Sequence, residues 1–257
     1  MVNADPPILS INTVTKNFGG LCAVNRVSFN VRPKEVLGII GPNGSGKTTL
    51  LNLITVIFPP TSGEIYFKGH KLNGLRPYQV NSLGIARNFQ DDKIFLNMSA
   101  IENAMVGSHG RSRVGLYGVG LHLNSYKKEE QEIFERAWNQ LAFLGLEKKG
   151  DTSPSALSVK ERHLLGIARA LVTEPELLLL DEPVAGLSFK ETEEMGDLIL
   201  LLRERGMTVL LIEHRLQMIM NISDRLIVLN FGCKIAEGAP AEIRENEEVI
   251  AAYLGKG

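Results

Sequence analysis

The apolar and polar positions in the first third of the chain predict short strands separated by turns. Three runs, ILSINTV, VNRVSFNV and GEIYFKG, are rich in β-branched and aromatic residues and are bounded by Gly, Pro and Asn. Such runs predict a small antiparallel sheet. Between the second and third runs lies EVLGIIGPNGSGKTTLLNLITVIF, in which an apolar strand, a glycine-rich turn and a helix follow one another. Leu50, Leu53, Ile54 and Ile57 are spaced to share one face of that helix.

From about Asp91 to Leu157 the pattern becomes helical, with an irregular glycine-rich stretch, RSRVGLYGVGLHLNS, inside it. The stretch LSVKERHLLGIARAL then predicts a helix, because Ser158 with Glu161 three residues later is the capping-box pattern ahead of an apolar stripe. After it, the strand LLLL, the helix KETEEMGDLILLLRERG and the strands MTVLLIEH and LIVLNFG follow in turn. This alternation predicts a parallel sheet covered by helices.

Composition narrows the class of protein. A chain of 257 residues, 44% of them hydrophobic, is long enough to bury a large core. The 28 Lys and Arg residues against 29 Asp and Glu residues leave a net charge of −1, which gives no electrostatic case for a nucleic-acid partner. The two cysteines lack CxxC spacing, and the longest apolar runs are too short to cross a bilayer. MVNADPPILS does not resemble a signal peptide, so we expect a cytosolic chain whose membrane role is peripheral.

The segment GPNGSGKTT fits the phosphate-binding pattern G-x-x-x-x-G-K-[ST], with a strand before it and a helix after it. Its glycines let successive backbone N–H groups point at phosphate oxygens, at the positive end of a helix. We expect Lys47 to reach the β- and γ-phosphates and the Thr48 hydroxyl to ligate Mg²⁺. The nucleotide-binding candidates in this loop are Gly41, Pro42, Asn43, Gly44, Ser45, Gly46, Lys47, Thr48 and Thr49.

Two further sites are predicted at the ends of buried strands, where open α/β sheets bind ligands. Asp181 and Glu182 directly follow the run LLLL, and together with a phosphate loop they suit a Mg²⁺ ligand and a base for the attacking water. Alone, such a pair is equally consistent with a solvated loop. His214 closes MTVLLIEH and is expected at the same sheet edge. The other four histidines lack that placement and are interpreted as structural.

These motifs, in this order, resemble the ATPase subunits of ABC transporters over almost the full length of the chain. The resemblance implies that Phe18 stacks on adenine, although an aromatic residue near a strand is also common in a core. It implies that Gln90 in RNFQDD senses both Mg²⁺ and the membrane domain, that Asp181 binds Mg²⁺, that Glu182 is the catalytic base, and that AGLS is the D-loop. It also implies that His214 contacts the γ-phosphate, and that ATP and Mg²⁺ are the cofactors.

The predicted fold is therefore α/β, with a P-loop NTPase (RecA-like) core, an N-terminal antiparallel β subdomain and an inserted helical subdomain. The whole chain, 1–257, is expected to be one domain. Its parts are the β subdomain with the first part of the core (1–90), the inserted helical subdomain (91–157), the rest of the core (158–237) and a C-terminal tail (238–257).

One motif departs from the family pattern. Most members have LSGGQ where this chain has LSVKE, so Ser158 is retained but two glycines become Val159 and Lys160, and Gln becomes Glu161. In the family this turn covers the γ-phosphate held by the other ATPase subunit. We interpret it here as both a helix cap and a degraded half-site. Because a homodimer would contain two impaired sites, we predict a heterodimer with a second ATPase subunit, a homodimer being the alternative.

The tail and the insertion after Gln90 resemble the ATPases of branched-chain amino acid importers. They imply an ATP-hydrolysing motor subunit on the cytoplasmic face of the membrane, with transmembrane permease subunits and, indirectly, a periplasmic or extracellular substrate-binding protein as partners. A short permease helix is expected to dock near Gln90 and the apolar run IFLNM. Uptake of urea or amides, export of lipopolysaccharide, a soluble ABC ATPase and a weakly hydrolysing regulatory subunit are the alternatives.

Overall fold

The computed structural model describes residues 6–88, 94–108 and 123–254, and it contains two sheets. The smaller sheet is antiparallel, with the strand order β2-β1-β4-β5. Its strands are β1 (Leu9–Phe18), β2 (Leu21–Val31), β4 (Ser62–Phe67) and β5 (His70–Lys71). Each of the three runs that predicted strands in this region contributes one of β1, β2 and β4, so the predicted antiparallel sheet is confirmed.

The larger sheet has the order β10-β9-β3-β8-β7-β6. Its strands are β3 (Val36–Ile40), β6 (Ile85–Asn88), β7 (Leu177–Asp181), β8 (Thr208–Ile212), β9 (Arg225–Asn230) and β10 (Cys233–Gly238). All neighbours are parallel except β9 and β10, which form an antiparallel hairpin. Every residue of β3, β7 and β8 is buried, as expected for central parallel strands covered on both faces. The predicted parallel sheet is confirmed.

Helices cover this sheet and form the inserted region. They are α1 (Lys47–Ile54), α2 (Pro77–Leu83), α3 (Ala100–Val106), α4 (Leu123–Phe143), α5 (Val159–Leu171), α6 (Phe189–Glu204), α7 (Leu216–Ile222), α8 (Pro240–Glu245) and α9 (Glu247–Leu254). One expectation is wrong: α1 ends at Ile54, so Ile57 lies beyond the helix and is exposed instead of packing on its apolar face. Most of RSRVGLYGVGLHLNS lies outside the described residues. In the ranges that are described, no helix is long and apolar enough to span a bilayer.

Two clusters of buried apolar side chains lie on opposite faces of the larger sheet. Leu177 and Leu179 of β7 belong to the cluster shared with the antiparallel sheet and α1, whereas Leu178 and Leu180 belong to the cluster shared with the other helices. This follows from the two-residue period of a strand. Because helices α3, α4 and α5 contribute to the second cluster, the inserted region is fixed to the core rather than separate from it.

Candidate active site

The glycine-rich turn follows β3 at the carboxyl edge of the larger sheet and leads directly into α1. Two of its glycines are required by close packing. A Cβ added to Gly41 would lie 2.1 Å from the carbonyl oxygen of Leu229, and one added to Gly46 would lie 2.4 Å from that of Ala23. Both residues also have positive φ angles, 150° and 101°. The turn is therefore pressed between β9 and β2, and its path is fixed by neighbouring backbone.

Lys47 fills the inside of this turn. Its side chain is buried, and its Nζ atom donates hydrogen bonds to the carbonyl oxygens of Gly41, at 2.8 Å, and Pro42, at 3.0 Å. Burial lowers the pKa of the ammonium group, while the nearby carboxylates of Glu182 and Asp181 act in the opposite direction. The turn therefore holds a positive charge at the position where the motif predicts a phosphate contact.

The start of α1 fits an anion. Gly46 is the N-cap, no side chain among the described residues caps it, and the first turn has no acidic residue. The first N–H groups of a helix have no intrahelical partner and carry a partial positive charge, so an anion is stabilised there. Together with Lys47, this helix end is suited to a polyphosphate. Thr48, on the first turn of α1, is exposed.

Asp181 ends β7 and is almost completely buried. Its Oδ2 atom accepts a 2.7 Å hydrogen bond from the Nη2 atom of Arg87, and the pair forms a buried salt bridge. Its Oδ1 atom, also buried, finds no hydrogen-bond partner among the described residues. Burial raises the pKa of the carboxyl group, and the bond to Arg87 opposes that rise. The Oδ1 atom is therefore an acceptor that a metal ion or its bound water would satisfy.

A metal ion at this position would need ligands beyond the protein. No group of three His, Cys, Asp or Glu side chains that could hold a metal is present in the part of the chain that the structure describes. Mg²⁺ commonly keeps several waters and binds through one or two protein groups together with substrate phosphates. Asp181 and Thr48 beside a phosphate loop fit that mode of binding better than a metal site built from protein alone.

Glu182 and His214 meet at the same sheet edge. Glu182 has a positive φ of 51°, and its backbone N–H donates to the carbonyl oxygen of Ile212 at 2.9 Å. Its Oε1 atom lies 2.7 Å from the Nε2 atom of His214. The strand register explains this meeting, because β7 and β8 are parallel neighbours with Asp181 opposite Ile212. The prediction that His214 emerges at the edge occupied by the carboxylates is confirmed.

Three other sequence-predicted residues are placed apart from this group or are not described. Gln90 lies outside the described residues. Phe18 is 44% exposed, its ring makes an edge-to-face contact with Phe58 at 5.2 Å between centroids, and the Nζ atom of Lys16 lies over the ring, 5.0 Å from its centroid. Ser158 is the N-cap of α5, where its Oγ atom accepts from the N–H of Glu161 and its own N–H donates to the Glu161 carboxylate at 2.8 Å. The predicted capping box is confirmed.

Sequence patterns missed several residues at the site. Arg87, on β6, binds Asp181 although the two are 94 positions apart in the chain. Tyr253, near the end of α9, lies against the glycine turn: partial burial raises its pKa to about 12, and a hydrogen bond from the backbone of Gly41 opposes the rise. Glu213 and Arg215 flank His214, and this adjacency to a predicted site residue was the one signal available in the sequence.

Comparison with known proteins gives two family matches. The model described as "ABC transporter" matches residues 24–185, and the model described as "Branched-chain amino acid ATP-binding cassette transporter" matches residues 233–257. The chain is 42% identical over 251 residues to the high-affinity branched-chain amino acid transport ATP-binding protein LivG of Escherichia coli, with 97% of this chain and 98% of LivG covered. It is 40% identical, with the same coverage, to the corresponding protein BraF of Pseudomonas aeruginosa.

Solved structures give the same result. A nucleotide-free ATP-binding cassette from an ABC transporter matches with a TM-score of 0.86 at 32% identity, covering 98% of this chain and all of that one. The dimeric, post-hydrolysis structure of the cassette MJ0796 bound to ADP and Pi matches with a TM-score of 0.76 at 28% identity, covering 90% of this chain and 98% of that one. The predicted P-loop NTPase fold is confirmed.

Proposed function

We propose that this chain, which belongs to the ABC transporter family of ATP-binding proteins, is the ATP-hydrolysing subunit of an importer for branched-chain or related amino acids. The observation that carries the enzymatic part is the 2.7 Å contact between Glu182 Oε1 and His214 Nε2, at the sheet edge where Lys47 fills the glycine turn. A base and a phosphate-binding loop at one edge are what ATP hydrolysis requires.

Each candidate residue is given a role, and for all of them except Gln90, which lies outside the described residues, the position supports that role. Lys47 and the backbone N–H groups of the glycine turn, except at Pro42, which has none, bind the phosphates, and the partly exposed Phe18 stacks on the adenine. Asp181, Thr48 and Gln90 would hold Mg²⁺, which neutralises charge on the phosphates when bound. Glu182 accepts a proton from the attacking water. His214 orients that carboxylate and contacts the γ-phosphate.

The transported substrate is proposed from the similarity to LivG and BraF and from the tail match over residues 233–257. In such importers the cargo passes through the permease, so this chain does not bind it. Urea or short amides are the second substrate class, and lipopolysaccharide export is a third alternative. The geometry of the nucleotide site does not distinguish between these substrates, because the ATPase supplies energy and the permease selects the cargo.

The surface that we propose for the permease is the exposed apolar turn after the strand β6. Phe95, Leu96 and Met98 are exposed, whereas Ile94 is buried in the core, so the run IFLNM is divided between surface and interior. Asn103 of α3 fixes this turn: its Oδ1 atom accepts from the N–H of Phe95 at 2.8 Å, and its Nδ2 atom donates to the carbonyl oxygens of Phe95, Met98 and Ser99. Apolar side chains on a turn held in this way suit a docking helix.

We further propose a heterodimer with a second ATPase subunit, on the cytoplasmic face of the membrane. The turn LSVKE supports this assignment, because Glu161 closes the N-terminus of α5 with its own carboxylate and leaves a poor site for an anion. A homodimer would contain two such turns. A regulatory, weakly hydrolysing subunit is favoured by the same turn, but the assembled groups around Lys47 and Glu182 favour hydrolysis.

Copurification tests the transporter assignment. The tagged chain, expressed in the cells it comes from, is expected to be recovered from detergent-solubilised membranes with polytopic permeases and with a second ATPase. Recovery in the soluble fraction alone, with ATP hydrolysis but without any membrane protein, would support a soluble ABC ATPase and overturn the proposal.

A substitution in the docking turn sharpens this test. Leu96→Asp places a charge in the apolar surface and is expected to abolish recovery of the permease while leaving ATP binding intact. Leu201→Asp, at an exposed leucine of α6 away from this turn, is the matched control and is expected to retain the permease. Equal recovery with both variants contradicts the docking surface.

A further inference from the structure

Glu213 is a buried carboxylate that the proposed chemistry does not use. It follows β8, and only 3% of its surface is exposed. Its Oε1 atom accepts from the backbone N–H of Val184 at 3.2 Å, and its Oε2 atom accepts from those of His214 at 2.8 Å and Arg215 at 3.1 Å. Three amide donors compensate the burial of this charge, and they belong to two segments distant in the chain.

Arg215, which follows His214 in the chain, also binds the residues after Val184. Its guanidinium group donates to the carbonyl oxygen of Leu187 and to the Oγ1 atom of Thr192. A planar guanidinium presents its donors as a rigid fork and so serves these two acceptors at fixed angles. The D-loop residue Leu187 and the first turn of α6 are thereby tied to the residue that follows His214.

The tripeptide Glu213–Arg215 therefore holds the segment Glu182–Ser188 at three points. Glu213 binds its backbone near the start, His214 binds the Glu182 carboxylate, and Arg215 binds its backbone near the end. A fourth contact comes from α5, where the Nε2 atom of His163 lies 2.9 Å from the carbonyl oxygen of Ala185. The contact between Glu182 and His214 is thus only one of several bonds between the two segments.

We propose that Glu213 and Arg215 are positioning residues, which hold Glu182, His214 and the D-loop (Ala185–Ser188) as one unit. The proposal rests on the proposed function, because it gives these residues a role through Glu182. Without the two outer bonds, Glu182 would keep its contacts with Ile212 and His214, but the backbone at Val184 and Leu187 would lose the side chains that fix its path. Misplacing a reacting group by about 1 Å lowers a rate by as much as about 100-fold. The hydrogen bonds of Glu213 and Arg215 go to residues other than Lys47 and those of α1, so ATP affinity is expected to be unchanged.

The test is the ATPase activity of the assembled transporter carrying Glu213→Gln, Arg215→Ala or Arg215→Lys. Glutamine keeps the shape of Glu213 but offers one acceptor oxygen in place of two. We expect kcat to fall about 10- to 100-fold in Glu213→Gln and Arg215→Ala, with a dissociation constant for ATP within about two-fold of wild type. Arg215→Lys is expected to restore part of the loss seen with alanine, because it keeps a charged donor.

Glu35→Gln is the matched control. Glu35 is also a buried carboxylate, with Arg225 and the N–H of Arg32 as its partners, at the opposite end of β3 from the glycine turn. It is expected to lower the melting temperature without lowering kcat. If Glu35→Gln lowers kcat as much as Glu213→Gln at an equal loss of melting temperature, the effect of Glu213 is on stability alone and the proposal is overturned.

A double variant separates this proposal from the proposed function. If Glu213 acts through Glu182, adding Glu213→Gln to Glu182→Gln should lower kcat little further, because the group it positions is already gone. Fully additive losses, or a wild-type kcat in Glu213→Gln, overturn the positioning role. A wild-type rate in Glu182→Gln alone overturns the catalytic assignment itself.

Discussion

At the scale of single residues, the position of Lys47 makes a quantitative prediction. Its ammonium is held inside the glycine turn by the carbonyl oxygens of Gly41 and Pro42, where the motif predicts a phosphate contact. Lys47→Ala removes a charge-assisted contact and is expected to weaken ATP binding by about 1.5–3 kcal/mol. Lys47→Arg should not restore affinity, because the turn encloses a compact ammonium and not a planar fork. Titration calorimetry measures all three forms, and equal affinities would remove Lys47 from the phosphate site.

Glu182→Gln separates binding from chemistry. Glutamine keeps the shape of the side chain but cannot accept the proton of the attacking water. We expect turnover in the assembled transporter to fall by about 10²- to 10⁴-fold, with Mg²⁺-ATP affinity nearly unchanged. The control is Glu237→Gln, which changes a carboxylate of β10 that is bound to Lys234 of the same strand and to Arg225 of β9. Turnover of Glu182→Gln at the wild-type rate would show that another group is the base.

Part of the site could be predicted from the amino-acid sequence. A phosphate loop has a fixed spacing, and strand ends predict a common edge, so Lys47, Asp181 and His214 could be expected together. Arg87 could not, because its bond to Asp181 depends on β6 lying next to β7, which no local pattern encodes. Glu213 and Arg215 were missed for a related reason. They form hydrogen bonds with backbone groups of Val184 and Leu187. Because almost every residue type carries such groups, the amino-acid sequence does not show which of them are partners.

At the scale of elements, the N-terminus of α5 shows what local sequence can determine. The capping box between Ser158 and Glu161 was predictable because it involves residues three positions apart. The ion pair between Lys160 and Glu194 of α6 was not, because it depends on how the two helices pack. Glu161 is also engaged by Lys149, and the bond from the Ser158 N–H holds the pKa of its carboxyl group below the ordinary value. Because of its ion pair with Glu194, Lys160 points towards α6 and is not available to bind a phosphate.

Restoring the family pattern at this turn tests the interpretation of a degraded half-site. The triple change Val159→Gly, Lys160→Gly and Glu161→Gln is expected to raise hydrolysis at the nucleotide site of the second ATPase, because backbone N–H groups could then approach the γ-phosphate. Glutamine at 161 keeps a capping side chain, whereas each glycine costs about 1 kcal/mol of helix stability. The site of this chain should respond little, since in this family the turn acts on the other subunit.

The measurement is steady-state ATPase activity with the catalytic carboxylate of the second ATPase either intact or neutralised. An increase that disappears on neutralisation places the effect at the second subunit. No change in either background would mean that the existing turn already serves the nucleotide, and the interpretation would be wrong.

At the scale of the whole molecule, the two-sheet architecture followed from residue patterns because central strands and edge strands differ in composition. The central parallel strands β3, β7 and β8 are almost entirely apolar and fully buried, whereas the antiparallel strand β1 mixes buried and exposed positions. The end of α1 was missed at Ile57 because a periodic pattern alone does not mark where a helix stops. Val56, with a positive φ of 50°, lies just beyond the helix and turns the chain away.

Subunit composition is a further prediction at this scale. Because a homodimer would carry LSVKE at both nucleotide sites, the purified chain with Glu182→Gln and Mg²⁺-ATP is expected to stay largely monomeric, and to form a 1:1 complex when the second ATPase is added. Mass determination by light scattering distinguishes these states. A Lys47→Ala counterpart, impaired in ATP binding, should form less of the complex. A stable ATP-dependent homodimer that hydrolyses ATP briskly would contradict the heterodimer.

The central claim is that this chain converts ATP hydrolysis at Glu182 into amino-acid import. The most direct test is uptake of radiolabelled leucine by proteoliposomes containing the chain, its permeases, the second ATPase and the substrate-binding protein, with ATP enclosed at the face that carries the ATPases. The account predicts accumulation of leucine against its gradient with the wild-type chain and its loss with Lys47→Ala. Accumulation that is unchanged in the variant, or that proceeds without ATP, would contradict it.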